Sequence, residues 1–364
     1  MKYLIAQDWP ISHGNHAGMA WMSRRLAEQF PDDYRVLVKD APREFKPRTG
    51  LGGLVDKVCY KLHINNDGNP RIHYRDKVYP REYMELCRPM FEKLQSGDSV
   101  FLLEYMEFET PQYQLACYLR KHYPGVRIYG MVHFTVDILQ SYRAHNPRLL
   151  EQWARPVDKI LTLGSSLTRY LVDCGLGSAT ISTGFHYVDS DYYHKSVPVE
   201  VGSPLTVITM GSMRRNYQLL ADVVSRCPEV HWVICRGRKS EVDSLFAGCK
   251  NVDMKGYLSE DELRHQMDLA DVSISVMEDT IGSNVITTSL AMGLAMVVSD
   301  VGSIRDYCDD TNAVFCQNTA TSFAEAVHAL SADPQRVLSM RKASLRHSEK
   351  LHVPAIHRWF SSLS

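Results

Sequence analysis

The sequence predicts an α/β protein of two successive domains, and three observations carry that prediction. Short apolar, β-branched runs alternate with segments of helical periodicity along the whole chain. The alternation breaks at a loose, proline-bearing stretch, His194 to Pro204, and then begins again. A length of 364 residues also suits two domains better than one. Each series reads as a Rossmann-like domain, the two facing each other across a cleft. The expected division is 1–194, 205–350 and a closing helix within 351–364 that packs back toward the first domain.

Composition bounds the function. Hydrophobic residues make up 45% of the chain and charged residues 23%, enough for a large core. A net charge of −1 argues against a nucleic-acid partner. The nine cysteines form no CxxC and no Cys/His cluster, which points to reduced thiols and supplies no zinc motif. The opening MKYLIAQDWPISHG has too short an apolar run for a signal peptide, and no segment reaches transmembrane length. The expectation is a cytoplasmic protein, with peripheral contact at the inner face of a membrane left open.

The first series opens with a strand at Lys2 to Gln7, a loop, and a helix over Met19 to Gln29 that repeats Met19, Met22, Leu26 and Phe30 at helical spacing. The loop holds Gly14, His16 and Gly18. A strand–glycine loop–helix order can seat a phosphate or a sugar, but the spacing is not GxGxxG, and an ordinary turn reads the same way. Further strands follow at Tyr34 to Val38 and Val100 to Leu103, the latter ending at Glu104, with a helix from Thr110 to His122. Val126 to Val132 is a strand that ends at His133. A histidine there points toward a ligand crevice, as a functional group or as a satisfied polar side chain. Lys159 to Leu163 is the next strand, with Ser165 read as the cap of a helix from Leu167 to Cys174, and residues 180 to 193 as a short strand and an irregular exit.

Residues 40 to 81 are rich in base: Arg43, Lys46, Arg48, Lys57, Lys61, Arg71, Arg75, Lys77 and Arg81 outnumber the acids. Gly50, Gly52 and Gly53 precede an amphipathic run, Leu54 to Leu62, and Asp67–Gly68 suits a hairpin turn. The basic region 43–81 is either a solvated face or a docking surface for an anionic lipid or polysaccharide acceptor.

The second series has strands at Leu205 to Met210, His231 to Cys235 and Val252 to Lys255, with a helix at Tyr217 to Arg226. Ser259 to Glu262 is a capping box that opens a helix to Leu269. One βαβ unit then stands out. A strand at Val272 to Met277 leads through the loop Glu278 to Ser283 into a helix from Asn284 to Met292, with Ser283 or Asn284 as its N-cap. Gly293 ends that helix and Ala295 to Ser299 is the next buried strand. A helix N-terminus beyond the carboxyl ends of strands suits phosphate, although an ordinary α/β unit that binds nothing has the same pattern. A strand at Ala313 to Cys316, helices at 321–330 and 334–349, and a short helix from Val353 to Phe360 with Trp359 buried complete the chain.

The order of these signals resembles the retaining glycosyltransferases of family 4, which have the GT-B fold. The stretches that carry the resemblance are MGSMRRNYQLL, NVDMKGYLSEDELRHQMDLADVSIS and GLAMVVSDVGSIRDY in the second half, with LTLGSSLTRYLVDCG and STGFHYVDSDYY in the first. Arg215 stands in the family's lysine position, and Ser212 stands where its arginine often lies, leaving Arg214 to replace it. His16, Ala17 and Gly18 take the place of the family's Gly-Gly loop, and His133 that of its active-site histidine. One departure is large. Members carry two glutamates eight residues apart, and a gapless count from Asp271 puts Thr280 and Thr288 there, with Glu278 and Asp279 close enough to take over the first role.

The resemblance implies a hexosyltransferase-type enzyme of surface polysaccharide or glycoconjugate synthesis. Its donor is a nucleotide sugar, its acceptor is a glycan or a lipid-linked glycan, and no metal is required. It places Gly211, Arg214, Arg215, Glu278, Thr280, Ser283, Asn284, Val285 and Thr288 at the donor, His133 at the reacting sugar, and Gly14, His16 and Gly18 at the acceptor or a phosphate. Guanidinium groups suit a pyrophosphate because they stay charged and donate as a fork. Two other readings remain: a non-catalytic GT-B protein that binds a glycan or a partner, and a sugar-nucleotide epimerase.

Overall fold

The computed structural model describes residues 1–9, 14–41, 50–61, 79–107, 110–195 and 199–363. The turn expected at Asp67–Gly68 and the basic residues Arg43, Lys46, Arg48, Arg71, Arg75 and Lys77 lie outside them. The chain divides into two compact units. One comprises Met1–Thr162, Leu171–Ser182 and Ser361–Ser364, the other Leu163–Tyr170 and Thr183–Phe360. Both are Rossmann-like, as the alternation predicts.

The first unit is built on β1 (Lys2–Asp8), α1 (Met19–Gln29), β2 (Tyr34–Asp40), α2 (Gly50–Lys61), α3 (Tyr79–Phe91), β3 (Ser99–Leu102), α4 (Gln112–His122), β4 (Arg127–Val132), α5 (Val136–His145), α6 (Leu149–Ala154), β5 (Lys159–Thr162) and β6 (Ile181–Thr183), while α7 (Ser165–Asp173) belongs to the second unit as far as Tyr170 and to the first from Leu171. Its six strands lie in the order β2-β1-β3-β4-β5-β6. Leu4, Ile5, Phe101, Ile128 and Leu161 are buried on the sheet, which is why these runs are apolar without alternation. Helix α4 starts at Gln112 rather than Thr110, because Pro111 is its N-cap and the Thr110 hydroxyl donates to the Glu104 carbonyl (3.0 Å). Helices α3, α5 and α6 carry weak sequence signals: α3 contains Pro89, and α6 is six residues long.

The second unit is built on β7 (Thr206–Met210), α8 (Tyr217–Arg226), β8 (His231–Cys235), β9 (Val252–Lys255), α9 (Glu260–Leu269), β10 (Val272–Ser275), α10 (Asn284–Ala291), β11 (Ala295–Ser299), β12 (Ala313–Cys316), α11 (Ala320–Ala332), α12 (Pro334–Ser348) and α13 (Val353–Ser362). Its sheet, all parallel, runs β12-β11-β10-β7-β8-β9. Val207, Trp232, Ile274 and Val297 pack into one core with Leu220 and Val224 of α8 and Phe323 and Val327 of α11. The capping box at Ser259 forms as read: its backbone N–H donates to Glu262 (2.8 Å) and its hydroxyl accepts from the Glu262 N–H (3.3 Å).

Three expectations are corrected. Ser165 is the first residue of α7 and not its cap; its N–H donates to Asp306 Oδ2 (2.6 Å), and the Ser166 N–H donates to Ser303 Oγ (2.9 Å). Side chains distant in sequence thus satisfy the free donors of that helix. Strand β10 stops at Ser275, because the Val276 carbonyl and Met277 turn to the loop after β7. Trp359 is half-exposed, its ring tilted against Phe185 over Gly184, while Phe360 takes the buried place.

Candidate functional site

In the second unit the chain runs outward through β7, β8 and β9, then returns to lay β10 against β7. The strand order reverses between β7 and β10, and the crevice at the carboxyl ends of such a pair is where α/β sheets take ligands. Two loops leave the sheet there, 211–216 after β7 and 276–283 after β10. They are stitched to each other. The Asn216 N–H donates to the Val276 carbonyl (3.1 Å), the Glu278 N–H donates to the Arg214 carbonyl (3.0 Å), and Arg215 bridges Met277 in antiparallel fashion.

Gly211 holds φ at +81°, and a Cβ there would lie 3.2 Å from Val285 Cγ2 and 3.8 Å from Arg215 Nη2. That single point ties the Arg215 guanidinium to the first turn of α10. Arg215 Nε donates to the Met210 carbonyl (3.2 Å). Desolvation pushes its pKa down to about 10, and it remains a cation at neutral pH. Arg214 sits in the left-handed region at φ +52°, its Nη1 3.9 Å from Glu278 Oε2. Both side chains are well exposed, so that ion pair is weak. Left-handed φ in a residue with a Cβ costs about 1–2 kcal/mol, and such strain gathers at binding sites.

Helix α10 is capped by Ser283, whose Oγ accepts from the Ile286 N–H (3.4 Å), and Asn284 is the first helical residue. Thr280 is buried; its Oγ1 accepts from the Gly282 N–H (3.0 Å), and its carbonyl accepts from the Ser303 N–H (2.7 Å). Thr288 is also buried, and its hydroxyl donates back to the Asn284 carbonyl (2.7 Å). Both threonine hydroxyls therefore serve their own backbone. Glu278 is the exposed carboxylate of this loop, and Asp279 Oδ1 accepts from the Thr280 N–H (2.7 Å).

Two residues outside the sequence assignment hold the β7 loop. Tyr217 OH donates to the Gly211 carbonyl (2.8 Å), and Lys239 Nζ donates to the Ser212 carbonyl (3.0 Å). The Tyr217 role is a one-turn packing detail of α8, and Lys239 comes from beyond β8, so neither leaves a local pattern.

In the first unit the reversal lies between β1 and β3. Gly14 takes φ +79°, the His16 ring packs 4.3 Å from that of Trp21, and Gly18 is the N-cap of α1. His133 follows β4 directly and is half-buried. Sequence reading missed a buried polar network at the ends of β1 and β3. Glu104 Oε2 accepts from the Gln7 N–H (3.0 Å) and from Gln112 Nε2 (3.0 Å), while Tyr79 OH donates to Gln7 Oε1 (2.8 Å). Burial, reinforced by Glu107, raises the Glu104 carboxyl well above the usual carboxylate range, which favours its neutral form. A carboxylate ending a strand was the visible signal; the tyrosine and glutamine that enclose it come from α3 and α4.

Among the described residues, Cys227, Glu229 and His328 form the group of ligand atoms close enough for a metal ion, all within 4.8 Å of one another. It lies at the end of α8 and on α11, remote in sequence from both loops.

Residues 204–333 match the family model described as glycosyl transferases group 1. No curated protein matches the chain. Among solved structures it is similar to HepE of Anabaena in complex with UDP and glucose, at 11% identity and a TM-score of 0.69 over 99% of this chain and 98% of that one. It is similar to sucrose-phosphate synthase of Thermosynechococcus elongatus at 12% identity and 0.70, covering 100% and 98%. The lipopolysaccharide outer core galactosyltransferase WaaB gives 14% and 0.63 over all of both chains. At these identities the likeness establishes the fold, which is that of the GT-B glycosyltransferases.

Proposed function

We propose that the protein is a glycosyltransferase that moves a sugar, a hexose by resemblance, from a nucleotide sugar to a glycan or lipid-linked acceptor. One observation carries the reading. At the strand-order reversal of the second unit, Arg215 and the first turn of α10 meet across Gly211, inside the stretch that matches the glycosyl transferases. A guanidinium beside a helix N-terminus, with Ser283, Asn284 and Val285 in its first turn, is an arrangement that attracts a diphosphate. They supply charge before the reaction begins, so the leaving nucleoside diphosphate would be stabilised without a metal ion. Arg214, more exposed to solvent and beside Glu278, adds a second cation. His133 has the role that resemblance gives it beside the donor sugar, and Gly14, His16 and Gly18 belong to the acceptor or a phosphate. Retention of anomeric configuration, and membership of family 4, rest on the resemblance alone. HepE in complex with UDP and glucose and the galactosyltransferase WaaB support a nucleotide-sugar donor and a place in surface-glycan synthesis.

A non-catalytic, ligand-binding reading draws on the two threonines. With the Thr288 hydroxyl bonded to Asn284, α10 offers no carboxylate to a ribose diol at that position. One experiment addresses both readings. The full chain is screened by thermal shift against UDP, GDP, ADP, CMP and their sugars, and donor hydrolysis is followed for any that bind. A ligand bound only by the folded state raises stability by about 2.7 kcal/mol at a hundred times its Kd. Binding with hydrolysis supports the transferase; binding without turnover supports the second reading; no shift with any nucleotide overturns the donor site.

A further inference from the structure

Helix α2 is amphipathic in the inverted sense, with its apolar stripe turned to solvent. Leu51 is 83% exposed, Leu54 60%, Val55 54% and Val58 47%, and Gly53 on the other side is buried. At 3.6 residues per turn these four residues fall within an arc about 100° wide. Soluble proteins scatter exposed apolar residues singly; four on one stripe of one helix mark a surface that binds something. Lys57 and Lys61 are exposed and lie along one flank of the stripe, and no acid stands in the first turn. The segments on either side of the helix in sequence add Arg43, Lys46, Arg48, Arg71, Arg75 and Lys77.

We propose that α2 is an interfacial helix that lays Leu51, Leu54, Val55 and Val58 into an anionic lipid bilayer, with Lys57 and Lys61 at the headgroups. Charge complementarity selects this occupant. A second copy of the chain would meet the same lysines, and like charges flanking an apolar seam repel. A bilayer of anionic lipid instead takes apolar side chains and cations in the same plane, and this is the arrangement in which membrane-surface helices bind. Among the described residues, no helix is long and apolar enough to cross a membrane, so α2 would lie on the surface. The inference does not depend on the proposed sugar transfer, because binding to lipid is read without donor or acceptor.

The test is flotation of the full chain with vesicles of phosphatidylcholine alone and with one quarter phosphatidylglycerol. Binding is expected on the anionic vesicles and is expected to weaken severalfold in high salt. Leu54→Glu should lower partition at least tenfold, Lys57→Glu with Lys61→Glu several fold, and Leu269→Glu, at an exposed apolar residue of the second unit, should leave it unchanged. Leu54→Trp should show a blue-shifted emission on anionic vesicles only. Thermal melts of each variant confirm that the fold is kept. Equal binding to both vesicle types, no binding to either, or unchanged partition of Leu54→Glu overturns the proposal. A dimer in light scattering that Leu54→Glu converts to monomer also overturns it, by assigning the stripe to a second copy.

Discussion

Arg341 Nη1 lies 2.6 Å from Asp271 Oδ1 in the interior of the second unit, with the two side chains 1% and 4% exposed. The pair joins α12 to the residue before β10. Asp271 also accepts from the N–H groups of Gly202 (3.2 Å) and Thr206 (2.9 Å), and Arg341 donates to the carbonyls of Gly293 (3.0 Å) and Glu200. Burying either charge alone is expensive, whereas here the two charges are paired, and Arg341 Nη2 is left as a buried nitrogen without a hydrogen-bond partner. Arg341→Met is expected to cost about 3–5 kcal/mol, and Asp271→Leu a similar amount. The double variant should cost less than the sum of the two, because it strands no charge. Urea unfolding of the three variants measures the coupling; strict additivity would show that the pair is not one unit.

Arg215 is expected to be the strongest single determinant of donor binding. Arg215→Ala should abolish the nucleotide thermal shift and lower transfer by about 10²–10³-fold, the range found when one donor to a developing negative charge is removed. Arg215→Lys keeps the charge and loses the fork, so partial activity is expected. Wild-type turnover by the alanine variant would remove this residue from the site.

Gly302 is where the loop around Thr280 is most tightly enclosed. It takes φ +55°, and a Cβ would fall 2.1 Å from the Thr280 carbonyl oxygen and 2.8 Å from its nitrogen. Backbone cannot move aside as a flexible side chain can. Gly302→Ala should cost about 1–3 kcal/mol and weaken nucleotide binding by displacing the 276–283 loop. A melting temperature and thermal shift equal to wild type would contradict the enclosure.

His186 gives the second unit an acid-sensitive element. Burial pushes its imidazole pKa down to about 4, against the ordinary 6.5. Between those values the unfolded chain binds a proton that the folded one refuses, so stability falls as pH drops from about 6.5 to about 4. The loss should be about 1–3 kcal/mol, since the side chain keeps some exposure. Urea midpoints at pH 7.5 and 5 should differ less in His186→Gln than in the wild type.

Glu104 acts in the opposite direction. Its pKa is raised in the folded state, so the stability it lends is present below the ordinary carboxylate value and is lost as pH rises. Glu104→Gln, which mimics the neutral acid, should raise stability at pH 8 and change it little at pH 4. Loss of stability at pH 8 would mean that the carboxyl is ionised after all.

Several elements were fully legible from local pattern. The capping box at Ser259, helix α1 from Gly18 onward, helix α8 and strand β11 have the limits the sequence predicts, because helical and strand periods and caps are short-range properties. Ser283 as the cap of α10 was one of two choices, settled by its hydrogen bond to Ile286. Ser165 and Trp359 were misread for one reason: each depends on partners far along the chain, Asp306 for the first and Phe185 for the second.

The sequence by itself determined that this is an α/β chain with two strand–helix series, and that a helix N-terminus follows a buried strand after Asp271. Those features arise from residues within a few turns of each other. Tertiary structure alone decided that β10 returns to β7, that Gly211 thereby brings Arg215 against Val285, that the Thr280 and Thr288 hydroxyls are spent on backbone, and that the apolar side of α2 faces outward. Strand order, burial and which face of a helix is covered are set by contacts between distant residues, and no local period encodes them.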